Sequence, residues 1–423
     1  MKKRGINISV PYGLKKVNFH IEEETDFDEL NIHTMSSMPE LSIVKNAIKN
    51  PIDSPLLTEF VQKGDKVVIV VSDYTRNTRS ALYIPFIILK LEKLGVRLAD
   101  ITIVIALGLH RPATKTEIFK ILGEKLSKLI KIENHNPDDN LIKLGKILLN
   151  KTVAGSSKII ITGAVTFHPL TGFSGGFKSL LPGVASRKDI LANHMLYFNG
   201  LIPNCKIGPG RIRGNPIFHD MSRINNVLKN VYCFNVVLGK NHKIVYASSG
   251  SIQESWRSCV RFIKKYFIIK IRKPYKFLIA SAGGFPNDFS FYQSMKLLTN
   301  ASRACISGGN ILILSECSKG WGIRPELMKL FSIPLEEIVK YLKIEFSMDG
   351  LAIYMASRII KSFNVFFYSS LDAEEVKRIG MVPVNNHKNL QNLINNYSSD
   401  NFAILPEATL ILPKYVGGRN NLV

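Results

Sequence analysis

The sequence is poor in the residues that build covalent or metal-clamped scaffolds. Its five cysteines (Cys205, Cys233, Cys259, Cys305 and Cys317) are odd in number, scattered, and never spaced as C-x-x-C. That argues against a disulfide framework or a zinc cluster and suits a reducing compartment. No H-x-x-x-H pair or paired Cys/His spacing marks a metal site. Long apolar runs are missing too, none approaching the roughly 18 residues a membrane helix needs. The start, MKKRGINISVPYG, is basic without a following apolar stretch, so no secretory signal is expected and the protein reads as cytoplasmic with no membrane partner. Acidic residues are scarce, 33 against 56 Lys and Arg, for a formal charge of +23. Such an excess can mark a nucleic-acid partner or an anionic substrate. The basic residues are spread along the chain, however, and no nucleic-acid module or aromatic-plus-basic stripe accompanies them, so attraction of a small anion is the inference and no nucleic acid is expected.

What is present is an ordinary globular composition, 46% hydrophobic and 21% charged over 423 residues, long enough for two domains with separate cores. The recurring unit is a short β-branched run that stops at Gly or polar residues and leads into an amphipathic stretch. KVVIVVSDYTR (66–76), ITIVIALGLHRP (101–112) and KIIITGAVTFHP (158–169) follow this pattern. Thr114-Lys-Thr-Glu117 has the spacing of a capping box, ahead of Ile118, Ile121, Leu122 and Leu126 at helical intervals. FNVVLGKNHKIVYAS (234–248) reads as two strands and a turn, 251–267 as a helix, and IRKPYK (271–276) as a domain boundary. Beyond it FLIASAGG (277–284), ILILSE (311–316) and VFFYSS (365–370) are strands between helices. The expectation is two α/β domains with mostly parallel sheets, 1–268 and 269–423.

In open α/β sheets, ligands bind beyond the carboxyl ends of the strands. There this chain places Asp73 and Arg76, then Gly108 with His110 and Arg111, then His168 with a glycine loop and Lys178, and in its second half Gly283-Gly284 ahead of Gln293 and Lys296. Each has a plain reading: Asp73 as a helix cap paired with Arg76, His110 and His168 as satisfied loop histidines, His194 as a half-buried helix residue, Gln293 and Lys296 as a solvated face. The loop HPLTGFSGGFKSLLPG (168–183) is not a Walker motif, because Phe177 stands where glycine must precede Lys178. Gly175-Gly176 still permit close approach of backbone N–H groups to an anion at a helix N-terminus. Lys178 then stands where it could pair with a phosphate or form a covalent bond.

In this order the pieces SDYTR (72–76), ALGLHRPAT (106–114), FHPLTGFSGGFKSLLPGVAS (167–186), Asn193-His194, Gly214-Asn-Pro216 and GGFPNDFSFYQSMK (283–296) resemble the nickel-dependent lactate racemase family. The resemblance spans most of the chain. It implies two α/β domains with an active-site cleft between them, the first domain carrying the cofactor tether, the nickel ligand and the acid/base histidines, the second closing the cleft. The implied cofactor is a nickel-pincer nucleotide, a pyridinium mononucleotide with two sulfur arms, attached to Lys178 as a thioamide. His194 would be the protein's nickel ligand, His110 and His168 the acid/base pair, and Arg76 and Lys296 the binders of the substrate carboxylate. Gln293 would support them on the substrate side, with Asp73, Gly175 and Gly176 on the cofactor side. The implied activity is racemisation or epimerisation of a 2-hydroxy acid by reversible hydride transfer, with cofactor-making enzymes as partners. The alternative is a non-catalytic or sensory binding protein on the same scaffold. Two departures stand out: Asn77-Thr78-Arg79 replaces a proline-containing run, and Leu351 in MDGL (348–351) occupies a position that lactate-specific members fill with tryptophan, so the wall beside the substrate is expected to differ.

Overall fold

The computed structural model describes residues 6–22, 25–35, 38–76, 78–397 and 401–417. The chain divides into two compact units, one of Met35–Asn199 and Pro203–Lys265, the other of Met1–Thr34, Gly200–Ile202 and Tyr266–Val423.

The first unit is built on a six-stranded sheet. Its order is Ile244–Gly250, Val231–Leu238, Lys158–Ala164, Val67–Ser72, Ile101–Ala106 and Lys131–Asn134. All neighbours are parallel except the expected hairpin of Val231–Leu238 with Ile244–Gly250. The central strand reads VVIVVS, and its valines and isoleucine are buried on both faces. That continuous apolar run is what a parallel strand covered by helices on both sides requires. The capping box forms as read: Glu117 N–H donates to Thr114 Oγ1 at 3.3 Å and Thr114 N–H to Glu117 Oε2 at 2.8 Å, opening the helix Lys115–Leu122.

The second unit holds another six-stranded sheet, ordered Val382–Pro383, Asn364–Tyr368, Cys305–Leu314, Tyr275–Ser281, Phe402–Leu405 and Phe27–Glu29, parallel throughout. Here the observed division departs from the expected break between 268 and 269. The hairpin of Ile6–Tyr12 with Lys15–Ile21 buries Val10, Val17, Phe19 and Ile21 against Phe277, Ile279, Leu312 and Leu314. Phe27–Glu29 extends the sheet as an edge strand beside Phe402–Leu405. The amino-terminal segment therefore completes the core of the later half of the chain.

Candidate active site

Parallel pairing places the carboxyl ends of neighbouring strands side by side, and in the first unit three adjacent ends carry the polar residues. Val67–Ser72 runs into Asp73; its neighbour Ile101–Ala106, in register Ser72 to Ala106, runs into the turn that ends at His110. The two side chains meet: His110 Nδ1 bonds Asp73 Oδ2. Thr75 fixes the other carboxylate oxygen, its N–H at 3.0 Å and its hydroxyl at 2.7 Å from Asp73 Oδ1. Asp73 is thus a partner of His110 rather than a helix cap. Burial pushes its carboxyl upward, but the hydrogen bond from His110 and the charges of His110 and Arg76 outweigh this and hold it below the usual carboxylate range. Arg111 is engaged elsewhere, by Glu117 at 2.6 Å, and lies over the Tyr74 ring.

The third strand, Lys158–Ala164, flanks the central one on its other side and leads into the glycine loop. The loop is clamped by groups the sequence did not flag. Trp256 Nε1 donates to Ser174 O at 2.8 Å, and Asn235 Oδ1 accepts from Gly176 N–H at 3.1 Å. Gly175 and Gly176 have φ of 72° and 52°, and a Cβ would meet Val165 Cγ2 at 2.7 Å in the first case and the Trp256 side chain at 2.8 Å in the second. The glycines are therefore demanded by the protein's own packing and by left-handed backbone, and the Gly176 N–H is already used by Asn235. The expected helix behind Lys178 is also replaced: Gly176–Ser179 is a single 3-10 turn, and the next helix, Arg187–Met195, begins only after Pro182 and Gly183. No helix N-terminus stands at this loop to receive an anion.

Lys178 is half-buried on that turn. Burial, then the nearby Arg76 guanidinium, lowers its amine from 10.5 to about 7, with Asp73 acting in the opposite sense. A lysine in this state is a neutral nucleophile above neutral pH. In protein carrying no attached group, acylation of Lys178 by a small activated ester, read by mass spectrometry of its peptide, is expected to rise with a midpoint near pH 7. A midpoint near the ordinary value of 10.5 would contradict this environment.

His194 lies buried in the helix Arg187–Met195. Ser186 caps that helix through Asp189 N–H at 3.1 Å, and Asn193 Nδ2 ties it to Ile217 O at 3.1 Å and Asp220 Oδ2 at 2.9 Å. His194 Nδ1–H donates to Ile190 O at 2.8 Å, which leaves Nε2 as the bare nitrogen. Burial lowers its pKa to about 4, the Ile190 bond opposing and Lys178 assisting, so the imidazole is neutral. A neutral ring oriented through its other nitrogen is the form that ligates metals. Among the described residues no three His, Cys, Asp or Glu are grouped to hold a metal ion. A metal held by His194 would take its other donors from outside the protein. Lys178 and His194, which share an electrostatic neighbourhood, fit a tethered, metal-bearing organic group that fills those positions.

His168 Nδ1 accepts from the N–H groups of Leu170 and Thr171, both at 3.2 Å. The Gly214-Asn-Pro216 segment explains itself here: Asn215 caps the helix Pro216–Ser222 and its Nδ2 donates to Leu170 O at 2.8 Å, fastening the His168 turn. Of the two departures, Arg79 is structural, binding Glu40 at 2.8 Å and 3.2 Å, while Glu40 also accepts from Ile244 N–H. Asn77 lies outside the described residues. Thr78 is buried, and the structure gives no reason for the exchange there.

Seven sequence-derived candidates besides His194 belong to this unit: Asp73, Arg76, His110, His168, Gly175, Gly176 and Lys178. Gln293 and Lys296 belong to the other unit, one turn apart on the helix Phe291–Ala301, which Ser290 caps. Leu351 is buried in that same unit on the helix Met348–Ile360.

Comparison with known proteins bears on the whole chain. Residues 12–201 match the lactate racemase N-terminal domain and 271–407 the lactate racemase C-terminal domain. A lactate racemase of Thermoanaerobacterium thermosaccharolyticum is 33% identical over 327 residues, 75% of this chain and 76% of that protein. One of Lactiplantibacillus plantarum is 28% identical over 382 residues, 86% and 89% of the two chains. The solved lactate racemase apoprotein from T. thermosaccharolyticum superposes with a TM-score of 0.86 at 29% identity, covering 97% of this chain and 100% of that one. A Thermotoga maritima crystal structure at 16% identity, TM-score 0.64, shares the fold.

Proposed function

This chain belongs to the lactate racemase family and is an isomerase, and from that premise we propose that it inverts a 2-hydroxy acid, lactate or a close analogue, by taking the C2 hydrogen away as hydride and returning it to the opposite face. The observation that carries the reading is a single unit in which a lysine amine is held near neutrality, a buried histidine presents a bare Nε2, and a carboxylate-backed histidine stands beside them.

The hydrogen on the chiral carbon of a 2-hydroxy acid is very weakly acidic, so its removal as a proton would leave an unstable carbanion; removal as hydride, together with loss of the hydroxyl proton to a base, leaves a stable 2-keto acid with its carboxylate unchanged. Lys178 would hold a nickel-pincer nucleotide through its amine, and His194 would hold the nickel through Nε2. When bound, that group supplies an electron-poor ring able to take and return hydride. The remaining work falls to side chains. His110 carries its proton on Nδ1, facing the Asp73 carboxylate, so its Nε2 is the base that takes the hydroxyl proton as hydride departs, and Asp73 stabilises the imidazolium that results. His168 is the second imidazole proposed at the reacting oxygen. Arg76 and Lys296, with Gln293, bind the carboxylate and anchor the molecule while its keto group turns over, Arg76 through a bidentate fork. We assign the protein to the cytoplasm, with cofactor-making enzymes as its partners; no helix among the described residues is long and apolar enough to cross a membrane.

The test is a panel of enantiopure 2-hydroxy acids offered to cofactor-loaded protein, following optical inversion. Turnover of at least one short aliphatic acid is expected. Silence across aliphatic, aromatic, dicarboxylic and sugar acids would instead favour a ligand-binding role on the same scaffold.

A further inference from the structure

The strand Val231–Leu238 reads VYCFNVVL, with a single carboxamide among buried apolar side chains. Asn235 is itself fully buried. An amide in such a place is costly unless each of its polar atoms is matched, so what it holds indicates why it is there. Nδ2 is spent inside the fold, on Cys233 Sγ at 2.9 Å and Ser255 Oγ at 3.4 Å. Ser255 gives its hydroxyl hydrogen to Ser251 O at 2.7 Å, so toward Asn235 it can only accept. That fixes the amide's orientation. Nδ2 faces the helix Ile252–Tyr266, and Oδ1 faces the glycine loop, where it accepts from Gly176 N–H at 3.1 Å.

Gly176 opens the 3-10 turn Gly176–Ser179 that carries Lys178. The rest of that turn is laid against the neighbouring strand, Lys158–Ala164. There Gly163 pairs with Asn235 in register, and a Cβ on it would meet Ser179 Oγ at 3.3 Å and Gly175 Cα at 3.7 Å. Ser179 Oγ donates to Thr162 O at 3.0 Å, and Lys178 N–H donates to Gly175 O at 3.1 Å. Phe177 and Ser179, on either side of Lys178, are buried. The lysine therefore stands on a turn held at its entry by Asn235 and at its exit by Ser179. Loss of the Asn235 acceptor would strand a buried N–H at the start of the turn, and the turn would have to move to give it another partner.

We infer that Asn235 is a positioning residue for Lys178: through Gly176 N–H it sets the turn that keeps the lysine side chain inside the site, in the place where its bond to the cofactor forms. The inference rests on the reading of Lys178 as the tether.

Two measurements test it. Asn235→Leu is close in volume and removes the acceptor; Asn235→Ala is the second variant, should the larger apolar side chain prevent folding. In full-length protein carrying no attached group, wild-type Lys178 is expected to acylate with a midpoint near pH 7. Either variant is expected to raise that midpoint by about one pH unit or more, because a displaced turn returns the amine to water. A residue that only supports the fold would lower the melting temperature and leave the midpoint where it was. In protein from a host that makes the cofactor, the mass increase on the Lys178 peptide is expected to fall about tenfold or more in the variants. Folded variants with an unmoved midpoint, or variants that load as fully as wild type, overturn the inference. An unmodified Lys178 peptide in wild-type protein sinks the tether reading instead, while the midpoint comparison, made without cofactor, still decides the role of Asn235.

Discussion

Lys178→Arg is expected to abolish racemisation, a fall of roughly 10⁴-fold or more, on the scale seen when a covalent catalytic group is removed. Arginine preserves the positive charge and much of the length, so any role of Lys178 as a simple ion-pairing partner would survive the change in part. A guanidinium stays protonated and does not acylate. The amine it replaces sits at about 7 because burial and the Arg76 charge disfavour the ammonium form, and that is the property a tether needs. Protein from a host that makes the cofactor should show a mass increase on the wild-type peptide containing Lys178, with none on the variant, and the variant's nickel content should fall with it. An active variant, or an unmodified wild-type peptide in active enzyme, would remove Lys178 from the mechanism.

Asp73→Asn is expected to be nearly as severe, on the order of 10³ to 10⁴ in kcat, with KM little changed. The substitution keeps the shape and leaves Asn Oδ1 free to accept from Thr75 as Asp73 Oδ1 does. Facing His110, however, an amide nitrogen donates where the carboxylate accepted, so Nδ1 becomes the bare nitrogen and the hydrogen moves to Nε2. The base is then masked in an otherwise intact site. A variant that retains most of its kcat would show that His110 does not depend on this carboxylate for its working tautomer.

Much of this site is legible in the sequence because parallel sheets put consecutive β-α turns side by side: once 66–72, 101–106 and 158–164 are read as strands, Asp73, His110 and the Lys178 loop must lie near one another. The capping box at Thr114 and Glu117 is equally local and forms as read. What escapes is non-local. Phe27–Glu29 finds its partner at Phe402–Leu405, near the other end of the chain, and no short-range pattern announces that pairing. The run after Lys178 has helical composition, yet Pro182 interrupts it and Gly183 N–H closes a tight turn onto Lys178 O at 3.1 Å. Gly175 and Gly176 look like a ligand cradle until Trp256, more than 70 residues later in the chain, is seen pressing on them. Tautomers are the least legible of all, since they depend on which backbone groups a turn happens to aim at each ring.

The most direct test of the account follows a deuterium placed on C2 of the enantiopure acid that the loaded enzyme inverts. Hydride borrowed and returned within the site keeps the label on carbon, so racemised product in ordinary water should still carry it after many turnovers. Label lost to solvent as fast as optical rotation decays would mean that the hydrogen leaves as a proton, and the borrowed-hydride mechanism would be wrong.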